Sequence, residues 1–481
     1  MRTAYRVETV RAAEAELMAL LPDGALMRRA AAGLAAACAE LLGRVYGARV
    51  VLLVGSGANG GDTLYAGARL ARRGAGVTAV LLAPGRTHRE GLDDLTRAGG
   101  RIADDPFEAL ATADLVLDGI TGIGGRGGLR PEAVPVARAA RGSSAVIVAV
   151  DLPSGVEADS GEVRGEALRA DLTVTFGTHK PALLIDPARE YAGAVRLVDI
   201  GLGPHLPSVP EIEALHHADV AHLLPEPTGE SDKYRRGVVG IAAGSARYPG
   251  AAVLAVAGAL RGGVGAVRYV GHAADAVIAR FPEALVHPGP PARAGRVQAW
   301  VVGPGLADAA TDTTVADILA SDVPVLVDAD GLHALDAETV RRRAAPTLLT
   351  PHAGEAAALL GVARESVESA RLDAVRALVA RYGATVLLKG STTLIADPDG
   401  STAVRADPMG TPWLATAGSG DVLSGLTGAL LATGRPALDA ASVGAYLHGL
   451  AARRASGRGA PITALEVAEA LPGAWGDTRE G

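Results

Sequence analysis

The 481-residue chain is longer than one ordinary domain and implies two or three. A formal net charge of −7, with no long basic run and no basic patch interleaved with aromatics, argues against a nucleic-acid partner. The single cysteine, Cys38, excludes a disulfide framework and a Cys-based zinc site, and its Ala-rich helical surroundings suit a buried small hydrophobe.

Neither a signal-peptide pattern nor an uncharged run of about 18 apolar residues is visible, so a soluble, cytoplasmic protein without a membrane partner is expected. Aromatics are only 3% of the chain, so its cores must be built from Ala, Val and Leu. Arginine has displaced lysine almost everywhere: only Lys180, Lys233 and Lys389 remain, with one asparagine, Asn59, and one glutamine, Gln298. Survivors in such a background are candidates for chemistry.

In chain order, residues 5–42 read as two helices broken at Pro22-Asp23-Gly24. An unbroken apolar run over 50–54 predicts a buried strand, followed by a Gly-rich turn through Asp62 and a helix over 63–73. The turn is neither the spaced GxGxxG fingerprint nor a P-loop. Strands follow over 77–82, 115–117, 145–150, 172–176 and 195–198, with helices over 89–98 and 132–141 between them. This alternation predicts a doubly wound, mostly parallel α/β sheet. Asn59, Asp118, Asp151 and Ser154 all fall just past predicted strand ends, the edge where open parallel sheets bind ligands. An amide, a carboxylate and a hydroxyl converging there suit a hard cation, although either aspartate alone could simply cap a loop.

Prolines interrupt the alternation between 201 and 237, marking a boundary between domains expected at 1–213 and 214–481. A second α/β pattern follows, with strands over 238–242, 266–270, 300–302, 323–327, 347–349 and 385–388. Its last strand ends at Lys389-Gly390-Ser391-Thr392-Thr393, where a lysine and hydroxyls suit phosphate. The sequence Gly418-Ser419-Gly420-Asp421 then opens an apolar helix. Such a turn presents free backbone N–H groups at the positive end of the helix dipole, and a carboxylate at the helix start is placed to take a proton from an attacking hydroxyl. A lone GSGD is as readily an ordinary cap. With Lys389, His352 and the Gly303-Pro304-Gly305 turn at neighbouring strand ends, it reads as a nucleotide site.

The ordered motifs GPGL (303–306), DADGL (328–332), TPHAGE (350–355), LKGSTT (388–393) and AGSGDVLSG (417–425) resemble the ADP/ATP-dependent NAD(P)H-hydrate dehydratases, which have a ribokinase-like fold. GANGGD (57–62), DGITGIG (118–124) and DLPSG (151–155) are similar to the NAD(P)H-hydrate epimerases, whose fold is a Rossmann-like doubly wound sheet. The tandem resembles the bifunctional bacterial repair family across nearly the whole chain.

The resemblance implies epimerisation of R and S NADHX and NADPHX, then nucleotide-dependent dehydration of the S form. It implies potassium on Asn59, Asp118 and Ser154, and hydrate held by Ala58, Asn59, Gly60, Gly61 and Asp62. The hydrate would also meet Gly122, Ile123, Gly124, Gly125, Arg126, Gly127 and Gly128, with Asp151 as acid–base group. In the second domain Ala251, Gly305, His352 and Asp421 would face the hydrate, with Asp421 catalytic. Lys389, Gly390, Ser391, Thr392, Thr393 and Gly420 would hold ADP or ATP with magnesium. The expected partners are these small molecules and further copies of the chain in a homo-oligomer.

Three positions depart from the family pattern: Ala58 replaces a second Asn, Thr63 a Gly, and Ala307 the last Gly of GPGLG. The first two bear on the epimerase turn. The alternatives are a ribokinase-like kinase of a thiazole or hydroxymethylpyrimidine alcohol, and a dehydratase carrying a non-catalytic N-terminal binding module.

Overall fold

A computed structural model describes residues 1–307, 311–400 and 403–480. The chain divides into two compact units, Thr3–Ile212 and Glu213–Gly481, the latter grouped with Met1–Arg2.

The first unit is built on a seven-stranded sheet. Its strands are β1 (Arg49–Val54), β2 (Gly76–Leu81), β3 (Arg101–Ile102), β4 (Leu115–Gly119), β5 (Val146–Val150), β6 (Leu172–Phe176) and β7 (Ala194–Val198), in the order β3-β2-β1-β4-β5-β6-β7. All neighbours are parallel. Strand β1 shows why the sheet needs helices on both faces. Val50, Leu52 and Val54 join one core with Leu34 and Leu64, whereas Val51 and Leu53 join another with Leu110 and Val136. Alternate side chains point to opposite faces, so an all-apolar strand must be covered twice. Cys38 is fully buried in the first of these cores, and burial pushes its thiol up to about 12.

The expected turn before residue 63 is instead helical, because the helix is Ala58–Arg72. Tertiary packing overrides the low helix propensity of glycine here. A Cβ at Gly60 would lie 2.5 Å from the carbonyl oxygen of Gly55, and one at Gly61 2.9 Å from Met27.

The strands that lie wholly within the second unit are β8 (Val238–Ala242), β9 (Ala266–Val270), β10 (Leu285–His287), β11 (Ala299–Val302), β12 (Val325–Val327), β13 (Thr347–Leu349), β14 (Thr385–Leu388), β15 (Thr393–Ala396) and β16 (Val404–Asp407). They lie in the order β16-β15-β14-β13-β12-β11-β8-β9-β10. From β10 to β14 neighbours are parallel, and β14-β15-β16 is an antiparallel extension that the sequence pattern did not predict.

Two helices, Pro249–Arg261 and Ser419–Ala432, approach backbone to backbone. A Cβ at Gly425 would lie 1.9 Å from the carbonyl oxygen of Ala255, and one at Gly258 2.2 Å from that of Val422. Small residues on both faces let the GSGD helix sit deep against the sheet. Among the described residues no helix is long and apolar enough to cross a membrane.

Candidate active sites

In the first unit, the carboxyl ends of β4 and β5 bring Asp118 and Ser154 together. Asp118 is fully buried; its Oδ1 accepts the Ser154 hydroxyl at 2.6 Å and its Oδ2 the Ser154 amide at 2.8 Å. Burial pushes the Asp118 carboxyl up to about 6 against the pull of those bonds. Asn59 stands in the first turn of the helix Ala58–Arg72, its Nδ2 buried without a hydrogen-bond partner. It faces the next loop, since a Cβ at Gly122 would lie 3.0 Å from its Oδ1.

Asp151 follows β5 with a φ of +66°, a left-handed conformation that non-glycine residues rarely hold. Its Oδ1 accepts the Thr175 hydroxyl at 2.9 Å and the Phe176 amide at 3.3 Å. Lys180 completes the grip: its buried ammonium is ion-paired to the same oxygen and also donates to Thr175 Oγ1 at 3.1 Å. Asp62 lies in the field of this pair. Burial, then the charges of Asp151 and Glu14, hold its carboxyl well above the usual range despite Lys180. Its Oδ1 is buried without a hydrogen-bond partner. A carboxyl that burial holds towards its neutral form therefore sits near one ion-paired to a lysine. Ala58, Gly60 and Gly61 share the helix start with Asn59 and Asp62. Gly122 and Gly128 flank Ile123, Gly124, Gly125, Arg126 and Gly127, which line a cavity of about 680 Å³.

In the second unit, Asp421 is the third residue of the helix Ser419–Ala432, not the first as the sequence reading had it. Gly418 caps the helix with a φ of +87°, which winds Ser419 and Gly420 into its opening turn. Asp421 still lies among the unpaired N–H groups of that turn. Burial and the charges of Asp328 and Asp330 push its carboxyl up to about 7, against Lys389.

Lys389 directly follows β14 and donates from Nζ to Asp328 Oδ1 at 2.7 Å, with Glu355 Oε2 at 3.7 Å. Burial draws its pKa down, but Asp328 and Glu355 outweigh this and hold it above the ordinary lysine value. The other oxygen of Asp328 accepts the Ser424 hydroxyl at 2.7 Å. A Cβ on Gly420 would lie 3.5 Å from Lys389 Nζ, so the lysine reaches the start of the GSGD helix. His352 caps the helix Ala353–Leu360: its Nδ1 accepts from the Gly354 and Glu355 amides, while Glu355 accepts from the His352 amide at 2.7 Å. Ala251 and Gly305 meet closely, since a Cβ at Gly305 would lie 2.6 Å from that of Ala251. Gly390, Ser391 and Thr392 form the turn into β15, which Thr393 begins; Thr392 is fully buried.

Several residues at these sites had no role in the sequence reading. Lys180 was marked only as one of three lysines, which was the available signal. Asp328, Glu355 and Ser424 stood inside quoted motifs, whereas the buried Arg371 beneath the Lys389 turn carried no signal among so many arginines.

These features define a two-unit α/β protein with a buried lysine–aspartate pair in one unit and a lysine–carboxylate cluster beside a Gly-rich helix start in the other. A family model described as NAD(P)H-hydrate dehydratase matches residues 239–472, and one for YjeF-related protein N-termini matches 23–182. The bifunctional NAD(P)H-hydrate repair enzyme Nnr of Mycobacterium tuberculosis strain H37Rv is 51% identical over 449 residues, 92% of each chain. The chain belongs to the family of bifunctional NAD(P)H-hydrate repair enzymes. The ADP/ATP-dependent NAD(P)H-hydrate dehydratase of Bacillus subtilis, co-crystallised with ATP/Mg²⁺, matches with TM-score 0.50 and 29% identity, covering 56% of this chain and 99% of that one. A ribokinase-like superfamily protein from Enterococcus faecalis, 21% identical with TM-score 0.50, covers 56% of this chain and 96% of its own; it shares the fold.

Proposed function

We propose that this chain repairs hydrated NADH and NADPH, with epimerisation in the unit Thr3–Ile212 and nucleotide-dependent dehydration of the S hydrate in the unit Glu213–Gly481. The observation that carries the second activity is Asp421 in the opening turn of its helix, with Lys389 Nζ beside Gly420. Asp421 accepts the proton of the ring hydroxyl as that oxygen takes the terminal phosphoryl group. Lys389 and the N–H groups of the helix start hold the phosphoryl oxygens. The ring nitrogen lone pair then expels phosphate, and loss of a proton from the neighbouring carbon restores the dihydropyridine.

Magnesium carried on the nucleotide would meet hard carboxylate ligands at Asp330 and Glu355, whose charges bear on Asp421 and Lys389. When bound it neutralises phosphate charge. In the first unit the donor set of Asn59, Asp118 and Ser154 fits a monovalent cation. It is oxygen-rich and carries one carboxylate, and the Asn59 Oδ1 is turned toward the Gly122 loop. Potassium would there fix the Gly122 loop against the helix start. Asp151, oriented by Lys180, is the acid–base group for loss and return of water at the carbon beside the ring nitrogen, and Asp62, whose carboxyl burial holds well above the usual range, is a second candidate donor.

Mixed R and S hydrates supplied with ADP or ATP test both halves. Complete conversion to NADH is expected. Consumption of the S form alone would reduce the first unit to a binding module, and consumption of neither would overturn the proposal.

A further inference from the structure

The cavity beside the Gly122–Gly128 loop has an unbalanced lining. Arg11, Arg126 and Arg164 bring three guanidiniums to it, and Glu157 and Asp159 two carboxylates. Both carboxylates are engaged with backbone: Glu157 accepts the Gly127 amide at 2.6 Å and Asp159 the Val7 amide at 2.7 Å. Arg164 is ion-paired with Glu162. Among the described residues Arg11 and Arg126 make no hydrogen bond or ion pair with another side chain. Both are exposed and line the cavity, and the Arg11 guanidinium lies against Gly124, where a Cβ would come within 3.3 Å of Nη2. Arg11 lies in the field of Glu14 but, like Arg126, in no ion pair, and two such guanidiniums lining a cavity of about 680 Å³ present planar donor forks of the kind that match phosphate oxygens.

The position of this charge relative to the acid–base pair matters as much as its sign. Arg11 and Glu14 lie three residues apart on the helix Val7–Met18, and hence on one face of it. Glu14 is within electrostatic reach of Lys180 and Asp151. Arg11 bears on the same Glu14, so one helix face links the cationic lining of the cavity to the neighbourhood of the group that would act on the ring. A dinucleotide hydrate has that form, a neutral reacting ring joined through a ribose to a pyrophosphate.

We infer that Arg11 and Arg126 form a phosphate subsite of the first unit, holding the dinucleotide so that its hydrated ring reaches Asp151. This rests on the epimerase reading of that unit and extends it to residues outside the family motifs, Arg11 above all. The same chemistry would take either the pyrophosphate, common to both hydrates, or the 2′-phosphate found only in NADPHX.

The test uses the full chain with Arg11→Ala, Arg126→Ala and the double variant, each checked for folding by circular dichroism. Conversion of R-NADHX and R-NADPHX is followed through the chain's own dehydratase, with S-hydrate turnover as the internal control. Each single change is expected to raise KM for the R hydrates about tenfold, the loss of one charge-assisted contact, with kcat little altered and S-hydrate turnover intact. A rise shared by both hydrates assigns the pyrophosphate; one confined to NADPHX assigns the 2′-phosphate. An unchanged KM in the double variant overturns the subsite. Binding of ADP-ribose, with the nucleotide site saturated by a non-hydrolysable ATP analogue, reads the same residues without epimerisation. If the wild-type chain fails to epimerise yet binds ADP-ribose at least tenfold tighter than the double variant, the epimerase reading fails and the subsite stands. Equal binding by both overturns it.

Discussion

Lys389 Nζ lies 2.7 Å from Asp328 Oδ1, and the second oxygen of that fully buried carboxylate takes the Ser424 hydroxyl at 2.7 Å. Asp328 thus joins Lys389, just past one strand end, to the helix that carries Asp421. Removing one partner of a buried pair leaves the other uncompensated. Lys389→Met should therefore lower the melting temperature as well as remove dehydration. Lys389→Met combined with Asp328→Asn should recover much of the lost stability but none of the activity. Thermal melts of the two single variants and the double variant decide this; additive losses would show that the pair is not coupled.

The turn after Lys389 rests on Arg371, whose Nη2 donates to the carbonyls of Leu388, Lys389 and Thr392 at 3.2, 3.2 and 3.0 Å. A Cβ at Gly390 would lie 2.4 Å from that same Nη2. Gly390→Ala is expected to push the guanidinium out of its seat and raise KM for nucleotide tenfold or more, with S-hydrate KM changed far less. Nucleotide titration of the purified variant measures this. An unaltered nucleotide KM would mean that Arg371 does not shape the turn.

Much of this architecture was legible in the sequence, because buried parallel strands read as continuous apolar runs and ligand groups gather at their carboxyl ends. The lone Asn59 and scarce Lys389 fall at the carboxyl-end edges of the two sheets, Asn59 at a helix start after β1 and Lys389 directly after β14. What stayed hidden depends on contacts between distant segments. The glycines at 60 and 61 looked like a turn until the packing of Gly55 and Met27 against them was visible. The link between Lys180 and Asp151 spans 29 residues and depends on β6 lying beside β5. Arg371 is one arginine among many until its burial is known.

Asp421, with its carboxyl pushed up to about 7 by burial and by Asp328, sets a pH dependence. As the base it must be ionised, so kcat/KM for S-hydrate dehydration should fall below about pH 7 and level off above it. The stability effect has a definite sign. A carboxyl pKa raised by folding gives stability that is full below the unfolded value of about 4 and declines as pH rises to about 7. Asp421→Asn removes that cost, so at pH 8 it should be inactive in dehydration yet melt higher than the wild type, with the difference shrinking towards pH 4. A variant melting lower at pH 8 would contradict the assigned strain.

The two sites are built on separate sheets, so damage to one should spare the other. Lys180 is almost wholly buried against Asp151, and its ammonium also donates to the Phe176 carbonyl at 3.2 Å. Lys180→Met leaves Asp151 as a buried carboxylate held only by Thr175 and the Phe176 amide, and so favours its protonated form. Epimerisation should fall by a hundredfold or more and its pH profile should move to higher pH, while S-hydrate dehydration keeps its wild-type rate. Asp151→Asn should abolish epimerisation at every pH, with no profile left to move. The decisive comparison is the R-hydrate rate of Lys180→Met between pH 6 and pH 9. A uniform loss without a shift would make Lys180 a packing residue only, and loss of dehydration in the folded variant would show that the two activities share a site.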